Sequence, residues 1–486
     1  MSKEIVELEP KIVWKHFYAL TQIPRPSKKE GKIIAYMKKF GEDLGLETIV
    51  DEVGNVIIRK PATPGMENRK AVVLQGHLDM VPQKNSNVEH DFENDPIDAY
   101  IDGEWVTARG TTLGADNGIG VSAAMAVLES KDLKHGPVEA LFTIDEETGM
   151  TGAFGLKPGI LSGEILINLD SEDEGELYIG CAGGTNANIR FEITREKTPL
   201  EVVAYKVSLT GLKGGHSGID IHMGKGNANK LMNRLLWTAY RQVGMMLSTV
   251  EGGNLRNAIP REAFATVVVP ESTAGRFEKL VTDMETILKN EYGSVEPGIS
   301  LTAEKTKSPE TVLDADSHYR LLNAVYACPN GVIRMSTDME GLVETSTNLA
   351  VYKTGKADTE VLCLMRSSVD SAREDLKNMF RSVFEPSGAE VQFEGEYPGW
   401  KPNPDSLILK EMKEIYNNKF GKIPEIRAIH AGLECGLLGG AYPGLDMISF
   451  GPTIRFPHSP DEKVNIPTVQ KFWDFLVETL EHIPEK

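Results

Sequence analysis

Histidine and acidic side chains follow several predicted strands of this chain, where they could bind a metal ion. His77 and Asp79 come directly after one short buried strand. Since they are two apart on an extended backbone, they face the same side, and the carboxylate could hold one ring nitrogen while the other binds a metal. Glu146 and Glu147 follow a second strand, and Asp170 follows a third. Each motif alone is typical of surface charge, but crowded carboxylates repel unless a cation neutralises them, so together they predict a metal centre.

Two further residues extend this pattern. Asp116 lies in Gly114-Ala115-Asp116-Asn117-Gly118, directly before a predicted helix of small residues, where a lone aspartate is more often a helix N-cap. His458 lies in a proline-rich loop after a strand that we assign to the same sheet. A lone loop histidine carries no signal by itself, so its position after that strand is what makes it a candidate.

Strands and helices alternate in the parts of the chain that carry these residues. This alternation predicts an α/β fold, a mostly parallel sheet with helices on both faces, whose ligands bind beyond the carboxyl ends of the strands. The predicted helices cover 11–21, 27–44, 118–129 and 468–480, and the predicted strands cover 56–59, 71–75, 138–144, 164–169 and 447–450.

Two stretches interrupt the alternation and mark domain boundaries. One is the glycine-rich segment 180–184, and the other is 397–404, where three prolines stop regular structure. We therefore predict a discontinuous domain, 1–184 with 398–486, that carries the predicted metal centre, and an inserted α+β domain, 185–397. The insert should consist of two similar halves with helices on one face of an antiparallel sheet. The helices of the first half are expected near 227–246 and 276–291, and those of the second near 318–327 and 372–384.

Composition excludes several classes of protein. The 486 residues carry 52 Lys and Arg against 71 Asp and Glu, a net charge of −19, which argues against nucleic acid and anionic membranes as partners. Four scattered cysteines without a C-x-x-C pair indicate reduced thiols. With no apolar leader and no apolar run near the length of a membrane helix, the sequence predicts a cytoplasmic protein.

Two weaker motifs are assigned structural roles. The segment 118–123 matches G-x-G-x-x-A, but it follows a loop-like stretch rather than a strand, so we expect its glycines to let a helix pack closely on the sheet instead of binding a nucleotide. His430 and Glu434 have the i, i+4 spacing of a metal pair on a helix. The acids and histidines described above already account for the predicted metal centre, so we expect no further metal there; a role in a substrate pocket is the alternative.

Taken together, these motifs resemble the M20 family of co-catalytic zinc peptidases over essentially the whole chain. The resemblance implies two Zn²⁺ ions, with Mn²⁺ or Co²⁺ as substitutes. It also implies a cis peptide bond between Asp116 and Asn117. Asp79 would orient His77, and Glu146 would act as general base. The implied ligands are His77 and Asp170 for one ion, Glu147 and His458 for the other, and Asp116 as the bridge.

The resemblance extends into the insert. Gly214-Gly215-His216-Ser217-Gly218 is similar to the family's lid loop, which implies that His216 donates to the developing oxyanion. Asn257 and Arg366 match positions that hold the far end of the substrate, and Gly432 lies in a stretch similar to that of the family's dipeptidases.

The implied activity is hydrolysis of dipeptides with a free amino terminus, Xaa-His among them. A tripeptide aminopeptidase or an N-acyl amino acid deacylase of the same family is the alternative, and an inactive binding relative is the third. Asp rather than Glu at position 170 resembles the members that act on free amino termini. The sequence leaves the oligomeric state open, and a homodimer is compatible with it.

Overall fold

The structure is a computed structural model that describes residues 3–486, with the side chain of Lys3 left out. Its helices are α1 (Lys11–Thr21), α2 (Gly31–Asp43), α3 (Ala115–Glu129), α4 (Glu146–Gly149), α5 (Thr151–Gly155), α6 (Ala228–Val243), α7 (Ala274–Tyr292), α8 (Ala315–Ala327), α9 (Asp370–Phe384), α10 (Leu407–Phe420), α11 (Glu434–Ala441) and α12 (Ile466–Glu481), with short 3₁₀ turns at Lys3–Glu7, Glu271–Thr273 and Glu385–Ser387. Its strands are β1 (Glu47–Val50), β2 (Val56–Lys60), β3 (Val72–His77), β4 (Ala99–Asp102), β5 (Trp105–Ala108), β6 (Val138–Thr143), β7 (Ile165–Asn168), β8 (Glu176–Cys181), β9 (Gly183–Glu192), β10 (Arg195–Lys197), β11 (Val202–Thr210), β12 (Gly215–His216), β13 (Met246–Gly252), β14 (Ala258–Ile259), β15 (Ala263–Pro270), β16 (Ser300–Lys305), β17 (Thr311–Leu313), β18 (Gly331–Met335), β19 (Val343–Thr354), β20 (Asp358–Ser367), β21 (Ala389–Tyr397), β22 (Glu425–Ile429), β23 (Asp446–Ser449), β24 (Ile454–Arg455) and β25 (Lys463–Asn465).

The chain divides into two compact units. Unit 1 consists of Met1–Gly180, Trp400–Ala428 and Leu433–Lys486, and unit 2 consists of Cys181–Gly399 and Ile429–Gly432. The sequence prediction had placed the boundaries after 184 and 397 and had kept 429–432 with the catalytic domain. These four residues group with unit 2 because the amide of Ala182 donates to the carbonyls of Ile429 and Ala431.

Unit 1 is built on an eight-stranded sheet in the order β1-β2-β6-β3-β7-β23-β8-β22. Its four central strands, β6, β3, β7 and β23, run parallel, and the strands that flank them on both sides pair antiparallel. The parallel strands are buried over nearly their whole length, as expected for a sheet covered on both faces. Their carboxyl ends therefore lie along one edge of the sheet.

Glycines let helix α3 pack closely against its neighbours, Gly120 on the parallel strands and Gly118 on Arg25. A Cβ on Gly120 would lie 2.2 Å from the carbonyl oxygen of Leu169 at the end of β7, and a Cβ on Gly118 would lie 2.7 Å from Arg25 Nη2. These contacts confirm that the G-x-G-x-x-A segment serves close packing. Within α3, Asp116 (φ −80°, ψ 112°) and Asn117 (φ −103°, ψ 30°) have non-helical backbone angles, so regular helix begins at 118, as predicted. The Asp116–Asn117 peptide bond is cis, also as predicted.

A second, four-stranded sheet of unit 1 has the order β24-β25-β5-β4. Strands β24 and β25 form a hairpin whose loop contains His458, and β25 pairs with β5, with Lys463 opposite Thr107. The two residues in this loop with positive φ are Phe456 (56°) and His458 (60°), a conformation that non-glycine residues adopt rarely and that tends to occur at functional sites.

Unit 2 contains a fully antiparallel sheet in the order β16-β11-β15-β13-β19-β20-β9-β21, with β18 added beside β19. It consists of two β-α-β-β-α-β halves, each with the strand order 4-1-3-2, which join through the pair β13 and β19. The predicted pair of helices is present in each half: α6 and α7 in the first, α8 and α9 in the second.

The two halves are nested rather than successive. The first strand of the second half is β9, which precedes the whole first half in the chain, and its remaining elements follow after α7 and β16. The sequence pattern did not indicate this order. Strand β9 is separated from helix α8 by over a hundred residues, so nothing near β9 in the sequence shows that it belongs to the second half.

The four cysteines are buried, and no disulfide bond joins them. Among the helices of residues 3–486, none is both long and apolar enough to cross a bilayer.

Candidate metal centre

The parallel strands of unit 1 bring five predicted ligands to one edge of the sheet. His77 is the last residue of β3, Glu147 lies in the turn after β6, and Asp170 comes two residues after β7. Asp116 lies in the first turn of α3, and His458 lies in the β24–β25 loop, after β23. The sheet topology therefore gathers residues that are up to 381 positions apart in the chain, from 77 to 458.

His77 and two carboxylates form the first group. The Nε2 atom of His77 lies 3.0 Å from Asp116 Oδ1 and 3.4 Å from Asp170 Oδ1. The histidine is buried and both carboxylates are largely so. The three ligand atoms can thus point at one ion.

His458 forms the second group, which shares Asp116 with the first. Its Nε2 atom lies 3.2 Å from Asp116 Oδ2 and 2.9 Å from Glu147 Oε2. Since Asp116 offers Oδ1 to the first group and Oδ2 to the second, its carboxylate bridges them.

These residues fit divalent metal ions. Ligands about 2.0–2.2 Å from a tetrahedral ion such as Zn²⁺ lie about 3.3 Å from one another, which is close to the separations above. Glu147 Oε1 and Asp170 Oδ1 are buried and have no hydrogen-bond partner among the described residues. Buried carboxylate oxygens without donors are costly unless a cation binds them. Both triads, His77-Asp116-Asp170 and Asp116-Glu147-His458, are compact enough to hold one ion each.

Asp79 links the ligands to the turn that carries the two glutamates. Its Oδ1 atom lies 3.3 Å from His77 Nδ1, and its two oxygens accept hydrogen bonds from the backbone amides of Glu146 (3.0 Å) and Glu147 (3.2 Å). Ser27 donates a further hydrogen bond of 2.8 Å. Burial acts to raise the pKa of Asp79, but His77 and these donors outweigh it and hold the pKa at about 2.

Negative charge is concentrated at this edge and shifts the acids in opposite directions. Burial, with the charge of Asp116, raises the pKa of Asp170 to about 7. Burial also raises the pKa of Glu146 well above its ordinary value, and the charges of Asp170, Glu434 and Glu147 add to it. For Asp116, the neighbouring His458 and His77 outweigh burial and lower the pKa. The site as a whole therefore favours bound positive charge.

The same negative charge raises the pKa values of the two histidines. Hydrogen bonds to Asp116 and Glu147 raise the pKa of His458 to about 11. Burial acts to lower the pKa of His77, but the acids around it raise the pKa well above the ordinary value. The carboxylates around each imidazole stabilise positive charge there. A bound metal ion would supply that charge while the ring stays neutral.

The remaining predicted site residues all lie in unit 2. His216 belongs to β12, which pairs with β14, so that the neighbouring Asn257 comes close to the same loop; the amide of Ser217 donates to the Asn257 carbonyl at 2.8 Å. His216 Nδ1 accepts hydrogen bonds from the amides of Gly218 (3.1 Å) and Ile219 (3.0 Å).

Arg366 is a buried cation on β20. It is only 5% exposed, its Nε atom is buried without a hydrogen-bond partner, and the side chain that hydrogen-bonds its guanidinium is Tyr397 rather than a carboxylate. A Cβ on Gly218 would lie 3.1 Å from both Arg366 Nε and His216 Cε1, so the arginine and the histidine flank one glycine. Gly432 lies against the ring of Tyr397.

Sequence reasoning missed a buried network beneath the ligands. Glu434 accepts hydrogen bonds from Gln75 Nε2 (2.6 Å) and Thr143 Oγ1 (2.7 Å), the Gln75 oxygen accepts from Asn168, and the Asn168 oxygen accepts from Ser449. The network crosses all four parallel strands. Polar residues inside strands that are otherwise apolar were the available signal.

Sequence reasoning also missed Arg25. It is 2% exposed, and its guanidinium donates to the carbonyls of Leu78, Asp79 and Gly114. It thereby joins the segment after β3 to the loop before α3, and its charge offsets the acids nearby. An arginine between two prolines in an N-terminal loop gives no sequence sign of this role.

His430 and Glu434 do not form a pair on one helix. Helix α11 begins at Glu434, and His430 belongs to unit 2, where its Nε2 atom lies 2.7 Å from Ser346 Oγ. The i, i+4 spacing was therefore a coincidence of sequence.

Comparison with known proteins gives consistent matches over the chain. The model of peptidase family M20/M25/M40 matches residues 73–482. The cytosol non-specific dipeptidase of Escherichia coli is 47% identical over 483 residues, which cover 99% of this chain and 100% of that protein. The crystal structure of aminoacylhistidine dipeptidase from Vibrio alginolyticus superposes with a TM-score of 0.96 at 52% identity, covering 100% of this chain and 99% of the other. The aminopeptidase PepT from Bacillus cereus, at 17% identity and a TM-score of 0.63 with 98% and 99% of the two chains covered, shares the fold.

Proposed function

The chain belongs to peptidase family M20/M25/M40, and from this membership we propose that it is a cytosolic metallodipeptidase. Its substrates are dipeptides with a free amino terminus, Xaa-His among them. The observation that carries the proposal is the convergence of five ligands beside Glu146, in a chain that matches proteins named as dipeptidases over its whole length. Those relatives support the substrate class, and the side chains support the chemistry.

Two Zn²⁺ ions are the proposed cofactors, with Mn²⁺ or Co²⁺ as substitutes. His77 and Asp170 would hold one ion, Glu147 and His458 would hold the other, and Asp116 would serve both. Divalent ions bound there would supply activation of a water molecule near neutral pH and polarisation of the scissile carbonyl. The mixed nitrogen and oxygen ligands suit several divalent ions, so the donor set favours this group of metals rather than one member.

Glu146 is the proposed general base. It removes a proton from the attacking water and passes it to the leaving amine. Asp79 holds the backbone amides of both Glu146 and Glu147, so the base and a ligand are positioned by the same carboxylate. Burial and nearby acids raise the pKa of Glu146 in the metal-free protein, and bound cations reverse part of that effect.

His216 is the proposed donor to the developing oxyanion. Because two backbone amides donate to its Nδ1 atom, the neutral ring carries its proton on Nε2, where it can be donated. Burial and the charge of Arg366 lower the pKa of His216 and so favour this neutral form. The ring is thereby prepared to donate a hydrogen bond without itself becoming cationic.

Arg366 is proposed to recognise the carboxylate terminus of the dipeptide, with Asn257 and Gly432 in the same pocket. A buried guanidinium without a carboxylate partner is a costly arrangement that an anionic ligand relieves. At the other end of the substrate, the acids around Asp170 suit a free ammonium group.

Two other activities remain as outcomes of a test. A tripeptide aminopeptidase needs no fixed distance between the two charged ends, and an N-acyl amino acid deacylase needs no free amine. An inactive relative would lack the base or a ligand, and the sequence has both. The purified protein, with zinc and then with a chelator, is assayed on Ala-His, acetyl-Ala and Ala-Ala-Ala. We expect chelator-sensitive cleavage of Ala-His far above the others; preferred cleavage of either other substrate contradicts the proposal.

A further inference from the structure

Glu462 is a buried carboxylate that the proposed chemistry does not use. It is 2% exposed and lies four residues after His458, directly before β25. Its Oε2 atom accepts hydrogen bonds from the backbone amides of Leu113 (2.8 Å) and Gly114 (2.9 Å). Its Oε1 atom accepts from those of Ala115 (2.7 Å) and Asp116 (3.1 Å). One carboxylate thus binds four successive amides, and the last of them belongs to the bridging residue.

The loop over 113–116 is held from its other side as well. Arg25 donates to the carbonyl of Gly114, and the φ of Gly114 is +73°, which L side chains rarely adopt. A Cβ at Gly114 would also lie 2.6 Å from Arg25 Nη2, so this position admits only glycine. The peptide groups of the loop are therefore fixed by a carboxylate on their N–H side and by a guanidinium on a carbonyl.

Glu462 also joins this loop to the hairpin that carries His458. Its backbone leads into β25, which pairs with β5, and Thr107 on β5 donates through its hydroxyl to the Glu462 carbonyl at 2.8 Å. The Asp116 carboxylate in turn contacts His77 through one oxygen and His458 through the other. A shift of the loop would therefore disturb both groups of ligands.

We propose that Glu462 is a positioning residue that sets the bridging carboxylate of Asp116 against His458, and so fixes the separation of the two metal ions; this inference rests on the proposed dinuclear site. Groups that hold metal ligands in place typically change metal affinity or activity 10–100-fold when altered. Removing this carboxylate leaves four amides, three of them in buried hydrogen bonds, without their acceptor.

Glu462→Gln is the direct test, because it keeps the shape of the side chain but replaces one acceptor oxygen with a donor group that faces two amides. The metal-free protein is titrated with Mn²⁺, and exchange coupling between the two ions is followed by EPR. We expect the wild type to bind two coupled ions, and the variant to bind one of them at least 10-fold more weakly with the coupled signal lost. In the metal-free variant, amides 113–116 should exchange hydrogen faster than in the wild type. Steady-state kinetics should show a fall in kcat with little change in KM.

Glu139→Gln is the matched control. Glu139 is also buried, at 3% exposure, and accepts from the backbone amides of Ser162 (2.9 Å) and Gly163 (3.0 Å), but it lies near the amino end of β6, away from the ligands. This variant should lose stability without losing the coupled manganese signal. Glu462→Asp keeps the charge but shortens the side chain, so it should cause an intermediate loss of metal affinity and of the coupled manganese signal. It replaces Glu462→Gln in the test if that variant does not fold.

The outcomes separate this inference from the proposed function. If the wild type does not bind two coupled ions, the dinuclear proposal fails and this one fails with it. If the wild type binds two coupled ions, and Glu462→Gln or Glu462→Asp binds them with unchanged affinity and coupling, the positioning role of Glu462 is wrong while the proposed function stands. Equal metal loss in Glu139→Gln would also overturn it, because the effect would then be one of general stability.

Discussion

The two adjacent glutamates after β6 have different surroundings, which is why we propose different roles for them. Glu147 Oε2 lies 2.9 Å from His458 Nε2, within reach of a shared ion. Glu146 is partly buried and does not belong to the group of Asp116 and His458; its carboxylate lies instead within reach of His77. Their backbones are fixed together by Asp79, so the division of roles depends on side-chain direction alone.

This division predicts opposite results for two isosteric substitutions. Glu146→Gln should retain both metal ions and lose about 10²–10⁴-fold in kcat, since general base catalysis is removed while the ligands stay. Glu147→Gln should lose one ion. Metal content is measured by atomic spectroscopy after gel filtration in metal-free buffer. Loss of an ion from Glu146→Gln, with both ions kept in Glu147→Gln, would reverse the assignment.

Arg366 provides a second prediction at this scale. If its buried guanidinium binds the substrate carboxylate, leaving it unpaired costs about 3–5 kcal/mol, or two to four orders of magnitude in kcat/KM. The wild type should therefore cleave Ala-His far faster than its C-terminal amide. In Arg366→Ala, the acid and the amide should be cleaved at similar, slow rates. If the wild type cleaves both substrates equally well, Arg366 does not recognise the substrate carboxylate, and the aminopeptidase alternative is favoured.

Among the elements, those that carry ligands were the most predictable. The helix predicted at 11–21 matches α1 at both ends, and the predicted strands at 71–75, 138–144 and 164–169 lie within two residues of β3, β6 and β7. Strand ends in a parallel sheet share an edge, so His77, Glu147 and Asp170 could be grouped before any coordinates were known.

The residues that hold those elements in place were beyond prediction. Glu462 binds amides that are up to 349 positions away, and Glu434 accepts from Gln75 across 359. No spacing or local pattern links such pairs, because only the folded sheet brings them together. The nesting of β9 with a half whose other elements come much later is hidden for the same reason.

Helix α8 carries a histidine that should make unit 2 sensitive to acid. Burial lowers the pKa of His318 from 6.5 to about 4, and its ring lies 4.6 Å from that of Tyr240. Below about pH 6.5 the His318 ring of the unfolded chain therefore binds a proton, whereas in the folded unit the ring stays neutral down to about pH 4. The stability due to the neutral ring is present in full above pH 6.5 and is lost as the pH falls, by up to about 3 kcal/mol.

His318→Phe keeps the ring contact and removes the titration. The variant should gain stability relative to the wild type as the pH falls from 7 to 4. Hydrogen-exchange protection of β19 and β20 reports on unit 2, and comparing the two proteins at each pH cancels the intrinsic pH dependence of exchange. A difference that does not vary with pH would show that His318 titrates normally.

For the whole molecule, the division of residues between the two units follows their proposed roles. All five ligands and Glu146 belong to unit 1, while His216, Asn257, Arg366 and Gly432 belong to unit 2. In the proposed function, metal binding and substrate recognition are therefore assigned to separately packed parts of the chain. Substitutions of the five proposed ligands should change metal content, whereas Glu146→Gln and substitutions of the second set should change kinetics with metal content unchanged.

The central claim is that two metal ions on unit 1 drive dipeptide hydrolysis, and a zinc titration of the metal-free wild type tests it most directly. Ala-His hydrolysis and bound zinc are measured on the same samples as Zn²⁺ is added. We predict no activity without metal and a plateau at two bound ions per chain. Full activity with no bound metal, or a plateau at a single ion, would contradict the dinuclear account.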